Sequence, residues 1–183
     1  ALDNGALIDI GGGSTEITVI ENGVDVARTS LPQGSLSSYK RFVGDILPTQ
    51  NEISAIRASV RRLIAADKTG ACAGFASELY GVGGSIRALS EVNAWLVAGA
   101  SSEEITRDDV NRMLRDVVEH RRTFIDAVLH VSPERIHTIV CGLAILVEVF
   151  EELDGKRLRI CDRGVREGYL IERMLGLGDS NMR

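Results

Sequence analysis

Three consecutive glycines and a serine, Gly11-Gly12-Gly13-Ser14, separate two apolar runs, and this turn limits the fold more than any other feature of the chain. A glycine triplet makes a poor helix interior and a ready tight turn, because glycine reaches positive φ without steric cost. The flanking segments carry strand patterns: 6–10 is apolar, and 15–20 alternates, with Ile17 and Val19 on one face. Glu21-Asn22-Gly23 then supplies an Asn-Gly hairpin signal ahead of a third strand at 23–30. Residues 6–30 therefore read as an antiparallel meander. Because a buried strand comes almost at once, the chain is expected to begin inside a fold rather than ahead of one.

Helical periodicity follows. Thr49-Gln50-Asn51-Glu52 fits a capping box, and Ile53, Ile56, Val60, Leu63 and Ile64 recur on one face behind it. Residues 79–83 return to a strand that ends in Gly83-Gly84-Ser85 and enters a helix with the stripe Ile86, Leu89, Val92, Trp95 and Leu96. Thr106 reads as the next N-cap, with Ile105 stapled onto Val110 and Met113, Leu114, Val117 and Val118 continuing the face. Ser132-Pro133 reads as a cap followed by proline at the first helical position, opening a long apolar helix to about Glu152. A strand at 158–161, a helix at 165–175 and a frayed tail at 176–183 complete the pattern. The expected order is β-β-β-(α)-α-β-α-α-α-β-α, with no internal repeat or linker. Residues 1–175 thus read as a single α/β domain: a five-stranded mixed sheet, antiparallel in the meander and parallel later, with helices on both faces.

Composition narrows the function classes. Hydrophobic residues at 44% and charged residues at 26% suit a globular domain, and aromatics at 4% leave an aliphatic core. A net charge of −5 argues against an electrostatic nucleic-acid binder, which works by neutralising phosphates with Lys and Arg. Cys72, Cys141 and Cys161 form no C-x-x-C pair, and their odd number argues against a disulfide framework. Reduced thiols in a cytoplasmic protein are the expectation. No apolar run reaches the ~18 residues of a membrane span.

The chemistry concentrates at Asp9-Ile10-Gly11-Gly12-Gly13-Ser14-Thr15-Glu16. Successive exposed amides in a glycine turn form a nest for phosphate oxygens, to which Ser14 and Thr15 are expected to add hydroxyl donors. Asp9 ends a buried strand facing the turn and is a candidate ligand for a divalent cation such as Mg²⁺, which typically takes one or two carboxylates plus phosphate oxygens. Glu16 opens the return strand and is placed to share the cation or to orient a water. The plain alternative is a glycine-rich hairpin with a solvated Asp and Glu. No G-K-[ST] follows, so the turn is no Walker loop, and it leads into a strand, so it is no Rossmann fingerprint. The second turn, Gly83-Gly84-Ser85, opens a helix whose orphan amides attract anions, with Arg87 in the first turn as a further candidate.

The two turns in this order, about 70 residues apart, resemble the second lobe of the actin / Hsp70 / sugar-kinase superfamily. Asp9 to Glu16, Gly83-Gly84-Ser85-Ile86-Arg87, Pro133-Glu134-Arg135 leading to Gly142, and Asp162-Arg163-Gly164-Val165-Arg166-Glu167-Gly168 are similar to the motifs of the exopolyphosphatase / guanosine-pentaphosphatase (Ppx/GppA) family in order and spacing. The similarity runs from about Gly5 to Leu175. It implies an actin-like, ribonuclease H-like lobe of a two-lobed bacterial enzyme. In such an enzyme water attacks a terminal phosphoryl group of polyphosphate, or the 5′ γ-phosphate of guanosine pentaphosphate, with a divalent cation in the cleft. By position, Asp9 and Glu16 would hold metal, with Glu16 also catalytic. Gly11, Gly12, Gly13, Ser14, Gly83, Gly84, Ser85 and Arg87 would bind phosphate. The chain departs from the family at His137, where Asp is frequent, and at Val140, where Pro is frequent. The family's first lobe, with its own phosphate hairpin and catalytic glutamate, has no counterpart here. This chain alone is therefore expected to be largely inactive.

His120, His130 and His137 fit no zinc pattern and read as structural or surface groups. Tyr80 and Trp95 read as core or rim residues. Asp162, Arg163, Arg166 and Glu167 read as a paired charged cluster, or as arginines near substrate anions or a lobe interface. The stripe Val165, Leu170, Ile171, Met174 and Leu175 would lose cover without a first lobe, and a homodimer is one expected relief. Two rival functions stand beside the hydrolase. An ATP-dependent sugar-kinase-like or actin-like ATPase lobe would show a purine pocket beside Gly83-Gly84-Ser85. A non-catalytic lobe that binds phosphates or a protein would release no orthophosphate in the full-length protein.

Overall fold

The computed structural model describes residues 4–72 and 78–161. The meander forms as its turns demand: β1 (Gly5–Ile10), β2 (Thr15–Glu21) and β3 (Val24–Leu31) pair antiparallel. Asn22 and Gly23 both take positive φ, 51° and 76°, as a two-residue hairpin with the right twist requires. After α1 (Ser35–Phe42) and α2 (Gln50–Ala65), β4 (Glu78–Val82) lies parallel to β1. Then come α3 (Gly84–Leu96), β5 (Glu104–Thr106), α4 (Arg107–Glu119), α5 (Arg121–Val131), a 3₁₀ turn at Pro133–Arg135, α6 (Ile139–Glu152) and β6 (Arg157–Ile160).

The sheet has six strands in the order β3-β2-β1-β4-β6-β5, one more than the five expected. The extra strand, β5, has three residues and runs antiparallel to β6 on the edge, with Ile105 opposite Leu158. Its residues read in sequence as the lead-in to the Thr106 cap. The Thr106 cap does form, with its hydroxyl accepting from the Asp109 amide, so one segment is both edge strand and helix entry.

Two helix expectations change. Ser132-Pro133 opens only the 3₁₀ turn, because the Ser132 hydroxyl donates to the Glu134 carboxylate at 2.6 Å instead of capping a long helix. The long helix starts at Ile139. Helix α5, not separated in the sequence pattern, buries only Phe124, Ala127 and Val128. Trp95, expected in the α3 stripe, is 44% exposed and packs its ring near His130.

Ala6, Ile8, Ile10, Ile17, Leu79 and Leu158 share one sheet face and are buried. Helix α3 packs on that face, and every residue from Ile139 to Phe150 in α6 is buried among α1, α2, α3 and α4. The buried Glu148 of α6 is held by α2, with Arg57 at 2.6 Å and Arg61 at 3.0 Å. The expected last helix, its charged run 162–168 and the 176–183 tail lie outside the described residues. Among the described residues no helix is long and apolar enough to cross a membrane.

Candidate functional site

Strands β1, β4 and β6 are parallel, so their C-terminal ends share one edge of the sheet, the usual ligand edge of such folds. Both glycine turns lie there, the first after β1 and the second after β4.

The first turn closes with the Gly11 amide donating to the Ser14 carbonyl at 3.0 Å. Its carbonyls face the start of α1. Gly11 O accepts from the Ser35 amide (2.9 Å), and Gly12 O accepts from the amides of Leu36 (2.9 Å) and Ser37 (2.8 Å). Gly13 O accepts from the Ser37 hydroxyl at 3.2 Å. The amides of Gly12, Gly13 and Ser14 have no acceptor among the described residues. Three consecutive amides are thus unengaged among the described residues.

Asp9 and Glu16 are directly opposed across β1 and β2, so both carboxylates project from the same face. Burial raises the Asp9 carboxyl above its ordinary value, and the negative charge of Glu16 raises it further. Glu16 is oriented: its Oε1 accepts from the hydroxyls of Ser14 (2.5 Å) and Ser30 (3.1 Å). The Ser14 hydroxyl, expected to face phosphate, is therefore engaged with Glu16, and only its amide is left for an anion.

The second turn meets the first. Gly83 takes φ 88° and ψ 165°, a region essentially reserved for glycine, and Asp9 Oδ1 occupies the space a β-carbon there would need. Ser85 Oγ lies 3.5 Å from Ser35 Oγ, and Gly142 of α6 faces the β-carbons of both serines. Gly84 is the N-terminal residue of α3, and the guanidinium of Arg135 fills the space beside its Cα. A cation from the Pro-Glu-Arg turn thus reaches the positive end of α3. Sequence position alone did not single out Arg135 as a site residue, since 51 residues separate it from Gly84.

Arg87 is exposed and lines a cavity of about 850 Å³ with Glu91, Ser101, Glu103, Glu104 and Arg159, a lining that includes none of Gly83, Gly84 and Ser85. A groove of about 690 Å³ between α2 and α4 touches neither turn. Among the described residues no group of three or more His, Cys, Asp or Glu side chains gathers as a metal site. The Asp9–Glu16 pair fits a hard divalent cation that completes its shell with phosphate and water oxygens. The histidines serve elsewhere: His137 Nδ1 lies 3.3 Å from the Tyr39 hydroxyl, and His120 joins α4 to α5.

A guanosine-5′-triphosphate,3′-diphosphate pyrophosphatase of Photobacterium profundum is 28% identical over 182 residues, which is 99% of this chain and 36% of the relative. The corresponding protein of Pseudoalteromonas atlantica is 27% identical over 183 residues, which is 98% of this chain and 35% of that relative. The chain thus spans about a third of the curated relatives it matches. Among solved structures, the Aquifex aeolicus Ppx/GppA family member superposes with a TM-score of 0.74 at 21% identity, covering 98% of this chain and 59% of that one. An exopolyphosphatase from Cytophaga hutchinsonii superposes with a TM-score of 0.76 at 16% identity, over 95% and 58%. These likenesses show the fold, the α/β actin-like fold of that family. The profile of the Ppx/GppA phosphatase family matches residues 3–177, nearly the whole sequence, and the chain belongs to that family.

Proposed function

We propose that this chain is the second lobe of a two-lobed phosphoanhydride hydrolase, residues 1–175 forming the lobe. The full-length protein would act in the cytoplasm and release terminal orthophosphate from polyphosphate, or the 5′ γ-phosphate of guanosine pentaphosphate. The observation that carries this reading is the opposed pair Asp9 and Glu16 beside three consecutive unengaged amides. The similar proteins, a guanosine-5′-triphosphate,3′-diphosphate pyrophosphatase by sequence and an exopolyphosphatase by structure, support the same two substrates.

Phosphoryl transfer to water depends on positioning and charge neutralisation more than on covalent chemistry by the protein. The amides of Gly12, Gly13 and Ser14 bind oxygens of the phosphate chain. The α3 N-terminus and Arg135 hold a further phosphate. Asp9 and Glu16 hold Mg²⁺ or another divalent cation, which supplies positive charge against the phosphate oxygens. Glu16, fixed through Oε1 by Ser14 and Ser30, keeps Oε2 for the cation or for the attacking water. A first lobe outside this chain closes the cleft and adds the remaining catalytic carboxylate.

The test is an orthophosphate assay of the full-length protein with polyphosphate and with guanosine pentaphosphate, with Mg²⁺ and with chelator. Mg²⁺-dependent release from at least one substrate is expected. No release from either would reject the hydrolase.

A further inference from the structure

The start of α1 is bonded to the glycine turn so completely that it determines which way the turn faces. Four donors from residues 35–37 reach the turn's carbonyls through the backbone or a hydroxyl: Ser35 N and Oγ to Gly11 O at 2.9 and 3.2 Å, and Leu36 N and Ser37 N to Gly12 O at 2.9 and 2.8 Å. A fifth, the Ser37 hydroxyl, shares its proton between Gly13 O and Gly34 O, each at 3.2 Å, and accepts from the Gly34 amide at 2.8 Å. All peptide bonds here are trans. In a planar trans peptide the N–H points opposite to the preceding C=O. Holding the carbonyls of residues 11, 12 and 13 against α1 therefore points the amides of residues 12, 13 and 14 away from it.

Gly34 makes this approach feasible. A β-carbon there would lie 2.5 Å from Gly11 O, 2.7 Å from Gly12 C and 2.7 Å from Ser14 N. All three are backbone atoms of the turn, so no side chain can swing aside to make room. The φ of Gly34, −125°, is one any residue adopts; the constraint is contact, not backbone strain. The buried Ser35 hydroxyl also lies 3.5 Å from Ser85 Oγ, so the same segment borders the second turn.

We infer that residues 34–37 are a positioning clamp for the phosphate-binding turn: they hold its carbonyls on one side so that three consecutive amides are presented to the substrate on the other. The inference rests on the proposed function. None of residues 34–37 touches the substrate; each acts through the turn.

The experiment uses the full-length protein and three variants, Gly34→Ala, Ser37→Ala and Ser37→Thr. It measures tripolyphosphate affinity by calorimetry, KM and kcat for polyphosphate, and melting temperature. Gly34→Ala is expected to weaken tripolyphosphate binding and raise KM by roughly tenfold or more, since small misplacements of binding groups are costly. Ser37→Ala is expected to raise KM about threefold to tenfold, the worth of one hydrogen bond. Ser37→Thr keeps the hydroxyl and should restore KM. Folded Gly34→Ala and Ser37→Ala proteins with wild-type affinity and KM overturn the clamp. If Gly34→Ala does not fold, the Ser37 pair decides: wild-type KM in Ser37→Ala, or a loss that Thr does not rescue, overturns it. A wild-type protein that binds tripolyphosphate without hydrolysing it rejects the hydrolase and leaves the affinities to judge the clamp. A wild-type protein that binds none overturns both.

Discussion

The carboxylate of Asp9 fills the space that a side chain at position 83 would need, so the aspartate that ends β1 packs directly against Gly83 at the entry to α3. This contact joins two turns that lie about 70 residues apart in sequence. It makes the absence of a side chain at position 83 a property of the site as well as of the backbone.

Gly83→Ala is therefore expected to be harmful twice over. The φ of 88° with ψ of 165° costs a non-glycine residue about 1–3 kcal/mol, and the new methyl displaces Asp9. Thermal unfolding of the full-length protein should show a lower melting temperature, and kcat should fall by about tenfold or more. A variant with wild-type melting temperature and kcat would mean that the two turns are not in contact.

Asp9 should carry a stability cost that its function requires. Burial first, and Glu16 second, raise its folded carboxyl above the ordinary value of 3.8. Between the unfolded and folded values the native state binds the extra proton, so stability falls as pH rises through that window. Above the folded value the cost is present in full, and below the ordinary value it is gone. In metal-free buffer at neutral pH, Asp9→Asn should melt higher than wild type, and the difference should vanish under acid. Added Mg²⁺ should raise the wild-type melting temperature more than that of the variant. A variant less stable than wild type at neutral pH without metal would contradict this.

Away from the site, the Glu148 cluster should be a major support of the helical layer. Its carboxylate is fully buried, and its partners Arg57 and Arg61 come from α2. The double variant Arg57→Ala/Arg61→Ala leaves that charge without its partners, and a loss of about 3–5 kcal/mol is expected in denaturant unfolding. A loss below ~1 kcal/mol would show that water reaches Glu148.

What the sequence disclosed was local, and what it concealed was tertiary. The Asn22-Gly23 hairpin and the Thr49–Glu52 capping box form as read, because a turn and a cap are decided within four residues. The first glycine turn and its two carboxylates were legible for the same reason. Strand β5 escaped because three residues carry no period, and α5 because its buried stripe is only Phe124, Ala127 and Val128. Arg135 at Gly84 and Gly34 at Gly11 depend on chain segments that meet only in the fold. Arg87, one turn into α3, reads as a phosphate ligand by proximity in sequence, and in the fold it lines a cavity together with Glu91 and Glu103.

The central claim, that Asp9 and Glu16 are the metal-binding carboxylates of a phosphoanhydride hydrolase, is tested most directly by orthophosphate release from polyphosphate and guanosine pentaphosphate. The assay compares full-length wild type with Asp9→Asn and Glu16→Gln across a Mg²⁺ titration. The account predicts Mg²⁺-dependent release by wild type and a fall in kcat on the order of 10²–10⁴-fold in each variant. Either variant retaining the wild-type rate and Mg²⁺ dependence would contradict it.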